Sequence, residues 1–112
     1  MRIVDLHHYV GPYIYCGRPM PGRKGSILCN PFLPKVHGRD TLLWYGEWLT
    51  RRVAEDHPEV MAAMRAIKED SVLACWCVDL TGELEILCGP YRCHCQHIWD
   101  VWSWLRRDGR LE

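Results

Sequence analysis

Five of the seven cysteines in this 112-residue chain fall between positions 75 and 95, and that crowding constrains the fold more than any other feature. Cys75-Trp76-Cys77 supplies two thiols, and Cys93-His94-Cys95-Gln96-His97 supplies two more with two imidazoles. A zinc ion takes four such ligands in a tetrahedron, commonly as two close pairs from separated segments. A Cys-x-Cys, fifteen intervening residues and a Cys-His pair follow that logic. Residues 75 and 77 share a face if the segment is a strand. The expected set is Cys75, Cys77, Cys93 and either His94 or His97, with Cys88 and Cys95 in reserve. Two other readings stay open. Buried cysteines can act as small hydrophobes. Alternatively, a thiolate stabilised by a helix N-terminus and a nearby histidine can be a redox group or nucleophile. A catalytic zinc keeps one position for water and a structural zinc does not.

Composition narrows the setting. The length suits one domain, so residues 1–112 are expected to form a single α/β unit with a C-terminal Cys/His cluster. Fourteen basic residues balance fourteen acidic ones, so bulk charge does not select nucleic acid or an anionic membrane as partner. Met1-Arg2-Ile3-Val4-Asp5 lacks the pattern of a signal peptide, and no run is long and apolar enough to span a membrane. A cytoplasmic protein with no membrane partner is the expectation, and a reducing cytosol argues for metal or thiol chemistry over disulfides. Six tryptophans against one phenylalanine give a small core much buried area per residue.

The pattern along the chain alternates strands and helices. Ile3-Val4-Asp5-Leu6 and Tyr13-Ile14-Tyr15-Cys16 read as strands, separated by Gly11-Pro12. Residues 17–25 are rich in glycine and proline and read as a loop. Ser26-Ile27-Leu28-Cys29 reads as a short strand or extended segment. Leu42, Tyr45, Leu49 and Val53 form a helical stripe in a helix begun by Asp40, and Val60, Met61, Met64 and Ile67 form a second with Asp56 as its N-cap. Ser71 to Cys77 reads as a buried strand, and Val78 to Leu87 as a hairpin or loose excursion around Thr81-Gly82. A final helix from about His94 to Arg107 carries Ile98, Val101, Trp102 and Leu105 on one face and stops at Gly109. These elements predict an α/β layer of three to five mostly parallel strands and about three helices, with functional loops at one sheet edge.

Three polar residues outside the cluster invite a binding role. Gly17-Arg18 follows a strand, where α/β folds place ligand loops, and Arg18 can meet a phosphate or carboxylate. No phosphate-binding glycine motif is present, so a solvated loop explains Arg18 equally well. Asn30 suits a turn that satisfies backbone as readily as a substrate contact. Arg39 can bind an anion or brace a neighbouring loop.

The ordered set Tyr15-x-Gly17-Arg18, Asn30-Pro31-Phe32, Gly38-Arg39-Asp40, Tyr45, Trp48-Leu49, Leu73-Ala74-Cys75-Trp76-Cys77 and Cys93-His94 resembles a family of small proteins. They occur in bacteria and their phages and are catalogued only as a domain of unknown function. The resemblance runs from about Tyr13 to Leu105. It implies that Gly17, Arg18, Asn30, Pro31, Arg39, Cys75, Cys77, Cys93 and His94 belong to one constellation, and it supplies no activity. This chain departs from the family pattern in its longer Val78–Arg92 link, which adds Cys88, and in having Cys95 where family members often have glycine.

Two functions follow. In the first, the chain is a zinc enzyme acting on a nucleotide, nucleoside or similar small anionic substrate, held by Arg18, Asn30 and Arg39. In the second, a structural zinc at Cys75, Cys77, Cys93 and His94 pins the last helix in a binding module. That helix would then offer Trp99 or Trp104 and Arg106-Arg107 to a protein or nucleic-acid partner. A thiol-based redox or nucleophilic enzyme is a third.

Overall fold

The computed structural model describes residues 2–6, 9–22, 24–32, 41–75, 83–84 and 94–111. Four strands form one sheet: β1 (Arg2–Asp5), β2 (Ile14–Tyr15), β3 (Val72–Cys75) and β4 (Glu83–Leu84), in the order β2-β3-β1-β4. β3 runs parallel to both β1 and β2, and β4 closes the other edge antiparallel to β1. This is the mostly parallel α/β sheet that the alternating pattern predicts. β1 and β3 read as apolar runs because both lie inside the sheet, where Ile3, Val4, Leu73 and Ala74 are buried.

Three helices are described: α1 (Thr41–Ala54), α2 (Pro58–Ala66) and α3 (His94–Arg107). Each buries most of the stripe expected from its period, with Val101 of α3 only half-buried. Tyr45, Leu49 and Val53 of α1 and Val60, Met61 and Met64 of α2 meet Ile98, Trp102 and Leu105 of α3 in one core with Ile3 and Leu73. Leu42 is only half-buried, and Gly46 takes a buried place on that face of α1. Ile67 caps α2 and stays in the core, with its carbonyl accepting from the Trp102 indole at 3.2 Å.

Local chemistry moved two boundaries. Asp56 does not cap α2. It takes a left-handed conformation (φ +53°) just past α1, where its N–H bonds Val53 O and the His57 N–H reaches back to Arg52 O. Those paired bonds are the left-handed helix stop that usually recruits glycine or asparagine. His57 becomes the cap, its Nδ1 accepting from the Val60 N–H at 3.4 Å. The same kind of stop ends α3, with Gly109 bonding Arg106 O and Arg110 bonding Leu105 O. Ser26 to Cys29 is a turn, not a strand: the Ser26 hydroxyl accepts from the Leu28 N–H, and the Ser26 carbonyl accepts from the Cys29 N–H. The Thr81-Gly82 turn and the helix start at Asp40 lie outside the described residues.

Candidate functional site

The parallel strands β1, β2 and β3 end together. Asp5 pairs with Cys75, and Tyr15 pairs with Ala74. The ladder continues one step further, since the Cys16 N–H bonds Ala74 O at 2.8 Å. In that register Cys16 comes level with Cys75, so Cys75 ends its strand between Asp5 and Cys16. Carboxyl ends of parallel strands are where α/β sheets present ligand-binding groups.

His94 joins this edge from α3. It is the first residue of that helix, and its side chain is buried. Its Nε2 lies 2.6 Å from the Cys16 carbonyl oxygen, which can only accept, so Nε2 is the protonated nitrogen. The Tyr45 ring stands edge-on to the imidazole, with centroids 5.2 Å apart at 83°. Tyr45 is itself anchored, because its buried hydroxyl donates to Leu28 O at 2.6 Å. His97 also packs near Tyr45, at 6.0 Å between centroids. It fits there because position 46 is glycine: a Cβ at Gly46 would fall 2.6 Å from the His97 ring.

The Gly17-Arg18 loop is built by the same economy. A Cβ at Gly17 would fall 2.5 Å from the Tyr15 hydroxyl, and that hydroxyl donates to Arg18 O at 2.6 Å. The loop closes where the Ser26 N–H bonds Gly17 O. Arg18 then turns toward the next turn, donating from Nε to Asn30 O at 3.0 Å and from Nη2 to Phe32 O at 2.8 Å. Asn30 is buried and equally inward in its chemistry. Its Oδ1 accepts from the Phe32 N–H at 2.9 Å, and its Nδ2 donates to Thr41 O at 3.4 Å, at the first residue of α1. Of the polar residues expected to hold a substrate, Arg18 and Asn30 thus brace backbone. Together they close a circuit from Cys16 through Arg18, Asn30, Thr41 and Tyr45 to His94 and back.

The remaining expected site residues divide in two. Cys77, Cys88, Cys93 and Arg39 lie outside the described residues, and Cys75 enters by its backbone position. Cys95 is fully buried in the hydrophobic core beside Ile98, a placement that suits the small-hydrophobe reading of this one cysteine. Among the described residues no group of three or more His, Cys, Asp or Glu is arranged to hold a metal. Of the expected zinc set, Cys77 and Cys93 lie outside those residues and Cys75 is described by its backbone alone. His94, the fourth, has the chemistry of a metal ligand, because such histidines habitually donate the second ring N–H to a carbonyl or carboxylate.

Cys16 and Asp5 are additions that sequence reading missed as neighbours of the cluster. Their only signal was their place at the ends of apolar runs. Cys29 lies outside the Cys75–His97 cluster to which the thiol reading applies. Burial pushes its thiol up, and the positive charge of Arg18 offsets this only in part. A raised pKa disfavours the thiolate a nucleophile needs.

The C-terminal half of α3 is less available than its composition suggests. Trp99 packs against the core, while Trp104 is exposed with the Arg110 guanidinium over its ring at 5.8 Å. Arg106 lies over Trp102 and pairs with Glu69 at 2.6 Å.

The family described as domain of unknown function DUF4326 matches residues 6–104. The chain belongs to that family. The match begins one residue after β1 and reaches into α3, so it takes in Cys16, Arg18, Asn30, Cys75 and His94, and it agrees with the family resemblance. No match to this DUF4326 chain was found among curated proteins or solved structures. No described helix is long and apolar enough to cross a membrane.

Proposed function

We propose that this DUF4326 protein is a zinc-binding protein in which Cys75, Cys77, Cys93 and His94 hold the metal, and that the zinc is structural, tying the start of α3 to the carboxyl edge of the sheet. The observation that carries this reading is the 2.6 Å contact from His94 Nε2 to the Cys16 carbonyl. It joins a buried imidazole to the strand level at which Cys75 ends. A histidine so backed is oriented before the metal arrives, which is how outer partners raise metal affinity. The engagement of Arg18 and Asn30 with backbone carbonyls and amides favours a structural role over a catalytic one, because those groups serve the scaffold. Three thiolates and one imidazole form a closed tetrahedral set.

A second reading keeps the enzyme acting on a nucleotide, nucleoside or similar anionic small molecule. Its supporting observation is position: the cluster lies at the carboxyl edge of parallel strands, with Arg18 exposed at the rim. A bound zinc with an open position would supply Lewis-acid activation of water there.

Metal analysis with X-ray absorption on protein made in zinc-supplied cells separates these outcomes. One zinc per chain with three sulfur and one nitrogen ligands is expected. An oxygen ligand in place of one of them would favour the enzyme. Protein that emerges metal-free, and takes up no zinc when supplied with it, would overturn the zinc reading and return the cluster to thiol chemistry.

A further inference from the structure

We propose that the outer face of α1 docks a second copy of this chain, whose own α1 lies antiparallel along the groove between α1 and α3. The inference is independent of the metal and concerns the side of α1 that faces away from the core. The groove has a volume of about 530 Å³ and follows α1 from Leu43 to Ala54, with Val101 of α3 on its other wall. Leu43 is 61% exposed, a large apolar side chain left in water on a helix whose opposite face buries Tyr45, Leu49 and Val53.

The sequence of α1 builds this face for another helix. Leu43, Glu47, Thr50 and Ala54 follow one another at steps of four, three and four residues, and all four are exposed. Those steps keep one seam turned toward a neighbour, as the heptads of a coiled coil do. The seam is large at its first end, small at its last and polar between, so a copy of itself turned end for end matches it. With a twofold axis at the height of Trp48 and Leu49, Leu43 comes beside the second copy's Ala54. Glu47 comes beside the second copy's Thr50, one residue from its Arg51. Large then meets small twice, and a Glu47 carboxylate meets an exposed Arg51 guanidinium twice. A contact of this kind uses the same patch on both copies and closes as a dimer. A slip of one turn moves each carboxylate away from its guanidinium, so the polar middle also fixes the register. An unrelated helix has no reason to carry this pattern in reverse, which singles out a second copy as the occupant.

Sedimentation equilibrium of the full chain, from micromolar to millimolar concentration, reads the outcome. A reversible dimer is expected, with a Kd in the micromolar range because a helix pair is a small interface. Leu43→Gln removes the apolar end of the seam and should weaken the dimer at least ~10-fold. A chain that stays monomeric throughout overturns the proposal and leaves the groove to another occupant.

Charge exchange ties the dimer to this face. Glu47→Arg sets arginine against arginine at both contacts, and Arg51→Glu sets carboxylate against carboxylate, so each variant alone should bind itself more than about 10-fold more weakly. Mixed in equal amounts, the two variants should pair with each other at close to the native affinity, because every like pair becomes an opposite one. Both positions are exposed, so both variants should fold, and recovery in the mixture shows that they have. If Glu47 and Arg51 served only each other within α1, as residues four apart often do, mixing would rescue nothing and the proposal would fail. A dimer whose affinity is unmoved by all three substitutions uses another face, and it overturns the proposal as well.

Discussion

Gly17 shows how much a single residue decides in this molecule. The Tyr15 phenol crosses the loop to reach Arg18 O, and it can do so only where no side chain intervenes at position 17. Gly17→Ala must push the phenol aside or bend the loop that Arg18 and Ser26 close. Overpacking of this kind costs about 1–3 kcal/mol, so the variant should show a lower denaturant midpoint with an unchanged slope. Were the midpoint to stay where it is in the native chain, the closeness of the Tyr15 ring would have no energetic weight. Residue chemistry also explains what was readable beforehand. Gly17, Arg18 and Asn30 stand out in the sequence because glycines, arginines and asparagines in loops have special uses. Their type does not say whether a guanidinium faces a ligand or a carbonyl two turns away. The answer depends on Asn30 O and Phe32 O arriving beside Arg18, which is a tertiary fact.

At the scale of elements, periodicity was the dependable guide. The stripes of α1, α2 and α3 repeat over two to four turns, and burial follows them closely. β2 and β4 are two residues long and carry no period to read. The boundary between α1 and α2 misled because Asp56-His57-Pro58-Glu59 resembles a capping sequence. The left-handed stop of α1 claims Asp56 first, and Arg110 secures it by bonding both the Asp56 carboxylate and Val53 O. This makes a discriminating pair of substitutions. Asp56→Gly gains backbone ease at φ +53° and loses an exposed ion pair worth about 0–1 kcal/mol, so its stability should stay near that of the native chain. Asp56→Val has no such ease, and should lose about 1–2 kcal/mol on thermal or chemical unfolding. Equal losses in the two variants would show that the ion pair, and not the backbone, governs this junction.

Across the whole molecule, α3 touches every layer. It meets α1 and β3, donates a hydrogen bond from the Trp102 indole to Ile67 O, and reaches the α2–β3 turn through Arg106 and Glu69. The Arg106 hydrogen bond and charge lower the Glu69 pKa below the ordinary glutamate value. A carboxylate depressed in the folded state contributes stability above its unfolded pKa and loses it as pH falls through the folded one. Glu69→Gln should therefore be less stable than the native chain near neutrality and converge with it in acid, by unfolding midpoints measured across that range. High salt should shrink the gap, since both side chains are exposed. A gap that persists unchanged into acid would assign the difference to something other than this pair. The alternating order of elements made the α/β class legible from sequence, while the two-segment logic of the Cys/His cluster left His94 and His97 as alternatives. What joins His94 to Cys16 was not legible, because residues 16 and 94 share no local pattern.

The sheet order has a consequence for how the protein is made. β1 lies between β3 and β4, and its residue 2 is paired with residue 72. A ribosome delivers β1 early, yet both strands that flank it are translated much later. Until then β1 has no strand to pair with, and pairing over so great a sequence separation is slow. Synthesis therefore leaves β1 short of its full pair of strand partners until the chain has grown past residue 84.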